Sequence, residues 1–548
     1  MTRRRFKAAR RIFTARDSLP RMTFRCRVAL TIALLFTTGA HALTVLNRGN
    51  GSEPKSLDPA FVNTVAESNT LGDMLIGLTT LDAAARPIPG AAERWDISKD
   101  GKTWTFHLRK SQWSDGKPVT AQDFVFAWQR ELNPKTAAPY AYNLWVLKNA
   151  RAISTAKLPP ASLGVRAADD LTLVIQLDHP AAYLPELLTH DTAYPVPRHV
   201  VLAKGDAWAR PENYVANGAY VPAEWILNDH ITLKKNPRFF DAAHVRIDEV
   251  NYFAAEDSQS ALKRLRAGEL DTQSPIPATS IDWLRKNMSN ALRTAPFLAV
   301  SYFALNTTHA PLKDVRVRKA LNLAFDREAV TDKVLRFGDR PAYGIVPPGI
   351  ANFPGGAAMD FKPLAMDSRI ALAQSLMQQA RYGAGNRLHL TLETTHDPDN
   401  RRVATVMQAM LRAIFIDLDI QQVDLQVHYR NMQTGAFEIA SAVWIADFND
   451  ASNFLDLLRA DSGNNYARYK NHAYDAALDA AQQESDAAKR GALLLNAEKI
   501  ALKDYPWLPW RFRVTQDLVQ PYVKGWIPNA RDYNRTRWLW VEARPVAR

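Results

Sequence analysis

The chain has 548 residues, 47% of them apolar and 23% charged, with one cysteine, Cys26, and a formal net charge of +13. That length supports more than one hydrophobic core, and a single cysteine excludes a disulfide framework. The basic balance does not mark a nucleic-acid binder. Residues 1–42 hold ten Lys or Arg and one acid, so +9 of the +13 lies there and about +4 remains beyond, with no Lys/Arg run interleaved with aromatics.

The first predicted element is a secretion signal. Val28–Phe36 is an apolar core, preceded by Arg25 and Arg27 and followed by Ala40-His41-Ala42, the pattern of a secretory peptide with its small-residue cleavage site. The core is too short to stay in a bilayer as a spanning helix. Cleavage is expected after Ala42, which leaves a periplasmic protein of 506 residues. The Arg-rich stretch before Met22 makes an unusually long leader, so translation from Met22 is an alternative. The arginines at Arg3-Arg4-Arg5 resemble a twin-arginine signal, but no apolar core follows them closely. Cys26 precedes the apolar core, whereas a lipid-anchor cysteine follows it, so a free protein is expected.

Further along, Trp104, Phe106 and Leu108 alternate with polar residues, which predicts a half-buried strand. Ser114-Asp115-Gly116 predicts a turn. Thr120 and Asp123 then predict a helix start, with Phe124, Val125 and Trp128 as its apolar stripe. Asp314 caps a second predicted helix carrying Val317, Leu321, Ala324 and Phe325. Leu388, Leu390 and Leu392 alternate as a strand. The helix predicted next has a stripe of Val403, Val406, Met407, Met410, Leu411, Ile414 and Phe415. This succession of strands and helices predicts α/β lobes. Phe437–Ile445 reads as a largely apolar strand, broken by Ala446-Asp447-Phe448-Asn449-Asp450. Ligands of open α/β sheets sit beyond the carboxyl ends of strands, which places Asp447 as a ligand-facing acid. An Asx turn or a helix cap would use the same residue equally well.

Enzyme signatures are lacking: no His-Glu-x-x-His among the twelve histidines, no Gly-x-Ser-x-Gly elbow, no phosphate loop, and no third glycine after Gly49-Asn50-Gly51 or Gly383-Ala384-Gly385. No catalytic residue, metal or cofactor is expected. His428, Met407 and Met410 read as structural.

The stretch from Trp104 to Trp128 resembles the extracytoplasmic solute-binding proteins of family 5, the peptide/nickel class, and within them the oligopeptide-binding proteins of ABC importers. The segments Asn50–Glu53, Ser56–Pro59, Pro89–Glu93, Asn217–Tyr220, Asp314–Arg318 and Pro341–Gly344 match in the same order. The resemblance covers the chain after the leader. It implies an α/β, two-lobed periplasmic-binding-protein fold with a third domain inserted in the first lobe. The boundaries expected are 43–65 (lobe I), 66–200 (inserted domain II), 201–298 (lobe I), 299–512 (lobe III) and 513–548 (lobe I), with crossings near Pro296–Val300 and Trp510–Thr515. It also implies a short peptide as ligand, permease and ATPase subunits in the inner membrane as partners, and a monomer.

The resemblance further implies the site. The family pattern Trp-Cys-Ala-Asp-Tyr-Asn falls on Trp444 to Asn449, and its aspartate, here Asp447, pairs with the ligand's α-ammonium. Glu53, Tyr140 and Tyr302 match positions near the ligand, although core packing is an equal reading of each tyrosine. Four positions depart from the family: Ser441 stands for an arginine, Ile445 for a cysteine, Leu425 for a pocket tryptophan and Asn400 for a histidine. The arginine and histidine help to hold ligand carboxylates, so the amino-end reader is expected to be kept and the carboxyl-end readers changed. Arg430 is a candidate substitute cation, by proximity alone. The alternatives are another solute of the class (murein peptide, glutathione, haem or a nickel complex) or a secreted peptide or cell-wall hydrolase.

Overall fold

The computed structural model describes residues 43–351 and 353–544. The proposed leader, with Cys26, Met22 and the bond after Ala42, lies outside the described residues.

Alternation of buried and part-exposed side chains along Val45–Gly49 makes it an inner strand, with Leu46 and Arg48 turned inward. It runs parallel to Glu249–Phe253 on one side and Thr272–Gln273 on the other. These belong to a seven-stranded sheet whose order is Leu292–Arg293, Asp517–Val519, Thr272–Gln273, Val45–Gly49, Glu249–Phe253, His230–Lys235, Tyr220–Ile226. Between its first strand and Tyr220 the chain builds a separate antiparallel sheet of Ala92–Ile97, Thr103–Leu108, Thr172–Gln176 and Val165–Asp169. There Trp104, Phe106 and Leu108 all point into the core. Gly116 takes φ +91° in the turn that follows, a conformation open to glycine. The helix Ala121–Glu131 begins where Asp123 accepts from Thr120 N (2.9 Å) and Trp113 Nε1 (3.3 Å).

A third sheet has six strands, in the order Arg340–Pro341, Trp507–Val514, Pro296–Leu305, Ile439–Ile445, Leu388–Thr395, Ile416–Val423. Its helices include Val315–Ala324, capped by Asp314 Oδ1 on Arg316 N at 2.9 Å, and Pro398–Leu411. The latter ends at Leu411. Ile414 lies in a short 3-10 turn, and Phe415 closes it with φ +66°, so the last two residues of the predicted stripe are packed from outside the helix.

Chain passes between the seven- and six-stranded sheets in two places. One runs from Leu292–Arg293 into Pro296–Leu305, the other from Trp507–Val514 into Asp517–Val519. The two passages lie side by side: Pro296 faces Val514, and Ala295 and Thr515 exchange hydrogen bonds of 2.8 and 2.9 Å. Two cores result. One fills the six-stranded sheet and its helices and runs on past the crossings to Leu262, Leu265, Leu284 and Leu518, and the other joins the first two sheets. Phe448 belongs to the second core although its strand belongs to the six-stranded sheet. Its ring stacks on Tyr183 at 5.0 Å.

Candidate functional site

The Ile439–Ile445 strand carries Asp447 beyond its carboxyl end, into the place where all three sheets' segments meet. Asp447 is 7% exposed. Asn453, from the helix that follows, clamps it: Asn453 Oδ1 accepts from Asp447 N (3.1 Å) and from Trp444 Nε1 (2.8 Å), while Asn453 Nδ2 donates to Asp447 Oδ2 (3.2 Å). From the inserted four-stranded region come His190, whose Nε2 is 3.5 Å from Asp447 Oδ1, and Asn143. Tyr140 stacks on His190 at 5.5 Å and leans on Tyr142 at 5.4 Å. From the C-terminal segment comes Arg531, which donates to the main-chain oxygen of Asp447 and to Thr189 Oγ1 (3.0 Å) and pairs with Glu186 (3.2 Å).

Electrostatics give this arrangement its chemistry. Burial pushes the Asp447 carboxyl up to about 6, against the opposing pull of Asn453, Arg531 and Asn143. Burial, with Arg531 and Arg535 nearby, pushes His190 down to about 3. At pH 7 the acid is therefore mostly ionised and the imidazole neutral, so their contact is no ion pair. Neither carboxylate oxygen of Asp447 pairs directly with a Lys or Arg among the described residues: Arg531 directs its terminal donors to main chain, Thr189 and Glu186 and acts on the carboxylate through space. Tyr140 and Tyr142 are driven well above the usual phenol range, first by burial and then by the Asp447 charge. The result is a desolvated anion walled by aromatic rings.

Beside it runs an open strand edge. Ile439–Ile445 pairs with Pro296–Leu305 over its whole length, but with Leu388–Thr395 only at Ile439 and Ala440. Glu438 O and Ala446 N bond toward the Pro296–Leu305 strand. By alternation, the main-chain groups of Ser441, Val443 and Ile445 point the other way. His428 Nε2 takes Ser441 O at 2.7 Å, with its Nδ1 held by Glu393 at 2.7 Å. The amides and carbonyls of Val443 and Ile445 face the unpaired side, which suits strand addition by an extended ligand.

The other expected residues divide. Trp444 acts through Asn453. Ser441 bonds Thr394 Oγ1 at 2.9 Å, and Ile445 is half-buried beside it in the strand. Tyr302 is 0% exposed and stacked on Trp507 at 3.6 Å, the arrangement of the core-packing reading. Glu53 has both oxygens engaged, by Trp225 Nε1 and Asn228 N at 2.8 Å each. Asn400 lies in the first turn of its helix, its N on Asp397 at 2.8 Å and its Nδ2 on Thr395 at 3.1 Å. Leu425 and Arg430 are exposed, on one helix. Sequence reasoning missed His190, Asn143, Arg531 and Asn453. None stands in a motif, and the first three lie more than eighty residues from Asp447. Among the described residues, no cluster of three His, Cys, Asp or Glu is placed to hold a metal, and no helix is long and apolar enough to cross a membrane.

Two α/β lobes joined by paired crossing strands, with an acid sealed between them, define a protein that encloses a solute. Comparison with known proteins gives the family: a model of the bacterial extracellular solute-binding proteins, family 5, matches residues 86–466, and the chain belongs to that family. The chain is 36% identical to the probable deoxycholate-binding periplasmic protein YgiS of Escherichia coli, over 91% of this chain and 94% of that one. The crystal structure of Haemophilus influenzae OppA in complex with the peptide RPPGFSPFR matches with a TM-score of 0.86 and 36% identity, covering 91% of this chain and 99% of that one. The murein tripeptide binding protein MppA of Escherichia coli matches at 33% identity with a TM-score of 0.87, covering 91% and 99%. Its unliganded open form, at the same identity and covering 91% and 98%, matches at only 0.71. The lobes of this chain are thus disposed unlike that open form, in keeping with Phe448 on Tyr183, His190 on Asp447 and an Arg151–Asp461 ion pair across the lobes.

Proposed function

We propose that this protein is the periplasmic binding component of an ABC importer, which encloses a short peptide between two lobes and hands it to permease and ATPase subunits in the inner membrane. It works as a monomer and catalyses nothing: the ligand leaves as it arrived. Residues 43–65, 201–298 and 513–548 form the lobe that carries inserted domain 66–200, residues 299–512 form the other, and the paired crossings are the hinge. The signal over residues 1–42 directs export.

The observation that carries this reading is the buried carboxylate of Asp447, without a direct Lys or Arg partner among the described residues, at the meeting point of the lobes. A free peptide's amino terminus has a pKa near 8 and is cationic at pH 7. An acid that reads this group reads every peptide and no side chain. The open edge at Val443 and Ile445 supports the same reading, since main-chain hydrogen bonds are equally indifferent to sequence. Closure removes water from the pair and strengthens it. Deoxycholate, the solute in the name of one relative, is an anion without an ammonium group and would leave Asp447 unpaired, so a peptide fits better. Murein peptides with a free amino end fit as well.

Native mass spectrometry of protein purified from periplasm tests the proposal. Retained masses that fragment as peptides support it. A retained bile acid, haem or metal complex, or cleavage of a peptide mixture on incubation, would replace it.

A further inference from the structure

The crossing strand Trp507–Val514 carries two arginines to the same face, Arg511 and Arg513. Their fates differ. Arg511 pairs with Asp339 at 2.6 Å and donates to Ser301 Oγ at 3.2 Å. Arg513 makes no ion pair or side-chain hydrogen bond among the described residues, and its Nε is sealed from solvent without an acceptor. Burial and the neighbouring Arg511 push its pKa down to about 10.

Three carboxylates lie within Coulomb range of it: Asp339, Asp397 and Asp532. Each is committed elsewhere. Asp339 holds Arg511 and also accepts from Val514 N (3.0 Å). Asp397 caps the helix Pro398–Leu411 through Asn400 N (2.8 Å). Asp532 leans on the buried Asp517, and burial and that like charge drive it well above the usual carboxylate range, toward a neutral acid. Asp397 belongs to one lobe and Asp532 to the C-terminal segment of the other, so Arg513 stands between the lobes beside the hinge. It remains partly accessible there. A guanidinium held in such a place needs an anion. Asp397 caps the helix turn of Asn400, where the family resemblance implies a histidine that helps to hold ligand carboxylates.

We propose that Arg513 binds the ligand's carboxylate end, so that the solute is a zwitterion read at both poles, ammonium by Asp447 and carboxylate by Arg513. This rests on the peptide reading above and narrows it to free-acid peptides whose anionic group reaches the hinge side of the cleft. Arg513 thereby replaces, from a different strand, the cations absent at Ser441 and Asn400.

The test is calorimetry with the full mature protein, stripped of ligand by unfolding and refolding, against peptides of two to five residues as free acids and as C-terminal amides. Wild type is expected to bind its best free acid at least tenfold tighter than the matching amide. Arg513→Gln is expected to bind both about equally, at the wild-type amide's affinity, and that retained affinity reports an intact fold. Arg513→Lys, which keeps the charge, is expected to retain part of the preference, and it decides the matter if the Gln variant binds nothing. No acid-over-amide preference in wild type, or the same preference in Arg513→Gln, overturns the inference and leaves the peptide reading standing. Failure of every peptide to bind, acid or amide, removes both.

Discussion

Replacing Asp447 with Asn tests the ammonium pair directly. The carboxylate is buried, its side-chain partners Asn453 (3.2 Å) and Asn143 are uncharged, and the imidazole at 3.5 Å is neutral. The ligand's ammonium would therefore be the one cation in direct contact with the carboxylate, beside the through-space pull of Arg531. Removing one side of a buried ion pair costs about 3–5 kcal/mol. The Asn oxygen can still accept a hydrogen bond worth about 1–1.5 kcal/mol. The net loss is about 1.5–4 kcal/mol, or roughly 10- to 900-fold in Kd. Calorimetry at pH 7.5 with one tripeptide, as the free amine and N-acetylated, measures it. Wild type should lose a comparable factor on acetylation, whereas Asp447→Asn should distinguish the two peptides only weakly. A free-amine Kd in Asp447→Asn within threefold of wild type, or equal binding of the acetylated peptide by wild type, would refute the reasoning.

The same carboxyl sets a pH profile. Its ligand-free pKa is raised to about 6, and only its ionised form pairs with the ammonium, which stays charged throughout this range. Affinity should therefore be flat from pH 7 to 7.5 and fall about tenfold between pH 7 and pH 5, with proton release on binding below pH 6; titrations in buffers of different ionisation enthalpy read both. Asn453→Ala strands the buried Trp444 indole N–H and unclamps Asp447, so it should cost about 1–3 kcal/mol of stability in urea melts and weaken peptide binding. Val443→Pro removes one donor from the open edge and no bond to the Pro296–Leu305 strand. Binding should weaken by about 1 kcal/mol with little change in Tm. Glu498 accepts from the N–H groups of Ile345, Val346 and Ala357 at 2.7, 3.0 and 3.1 Å, and Glu498→Ala leaves all three buried, at a cost of about 3 kcal/mol or more in urea.

Local chemistry made much of this protein legible in its sequence. Alternating apolar residues announced the strands at Thr103–Leu108 and Leu388–Thr395, and Asp314 and Thr120 announced their helices, because side-chain period and capping are properties of neighbouring residues. Asp447 was legible for the same reason: it follows a strand end. Arg513, His190, Asn143 and Arg531 were not, since each becomes part of the site only when segments remote from Asp447 in the chain are brought to it. Tyr302 shows the converse. The family resemblance put it near the ligand with core packing as an equal reading, and in the fold it stacks on Trp507. Sequence thus determined the elements and the acid. Tertiary structure alone decided which charges are left without partners, because burial and pairing depend on what the fold puts next to a group and not on what precedes it in the chain.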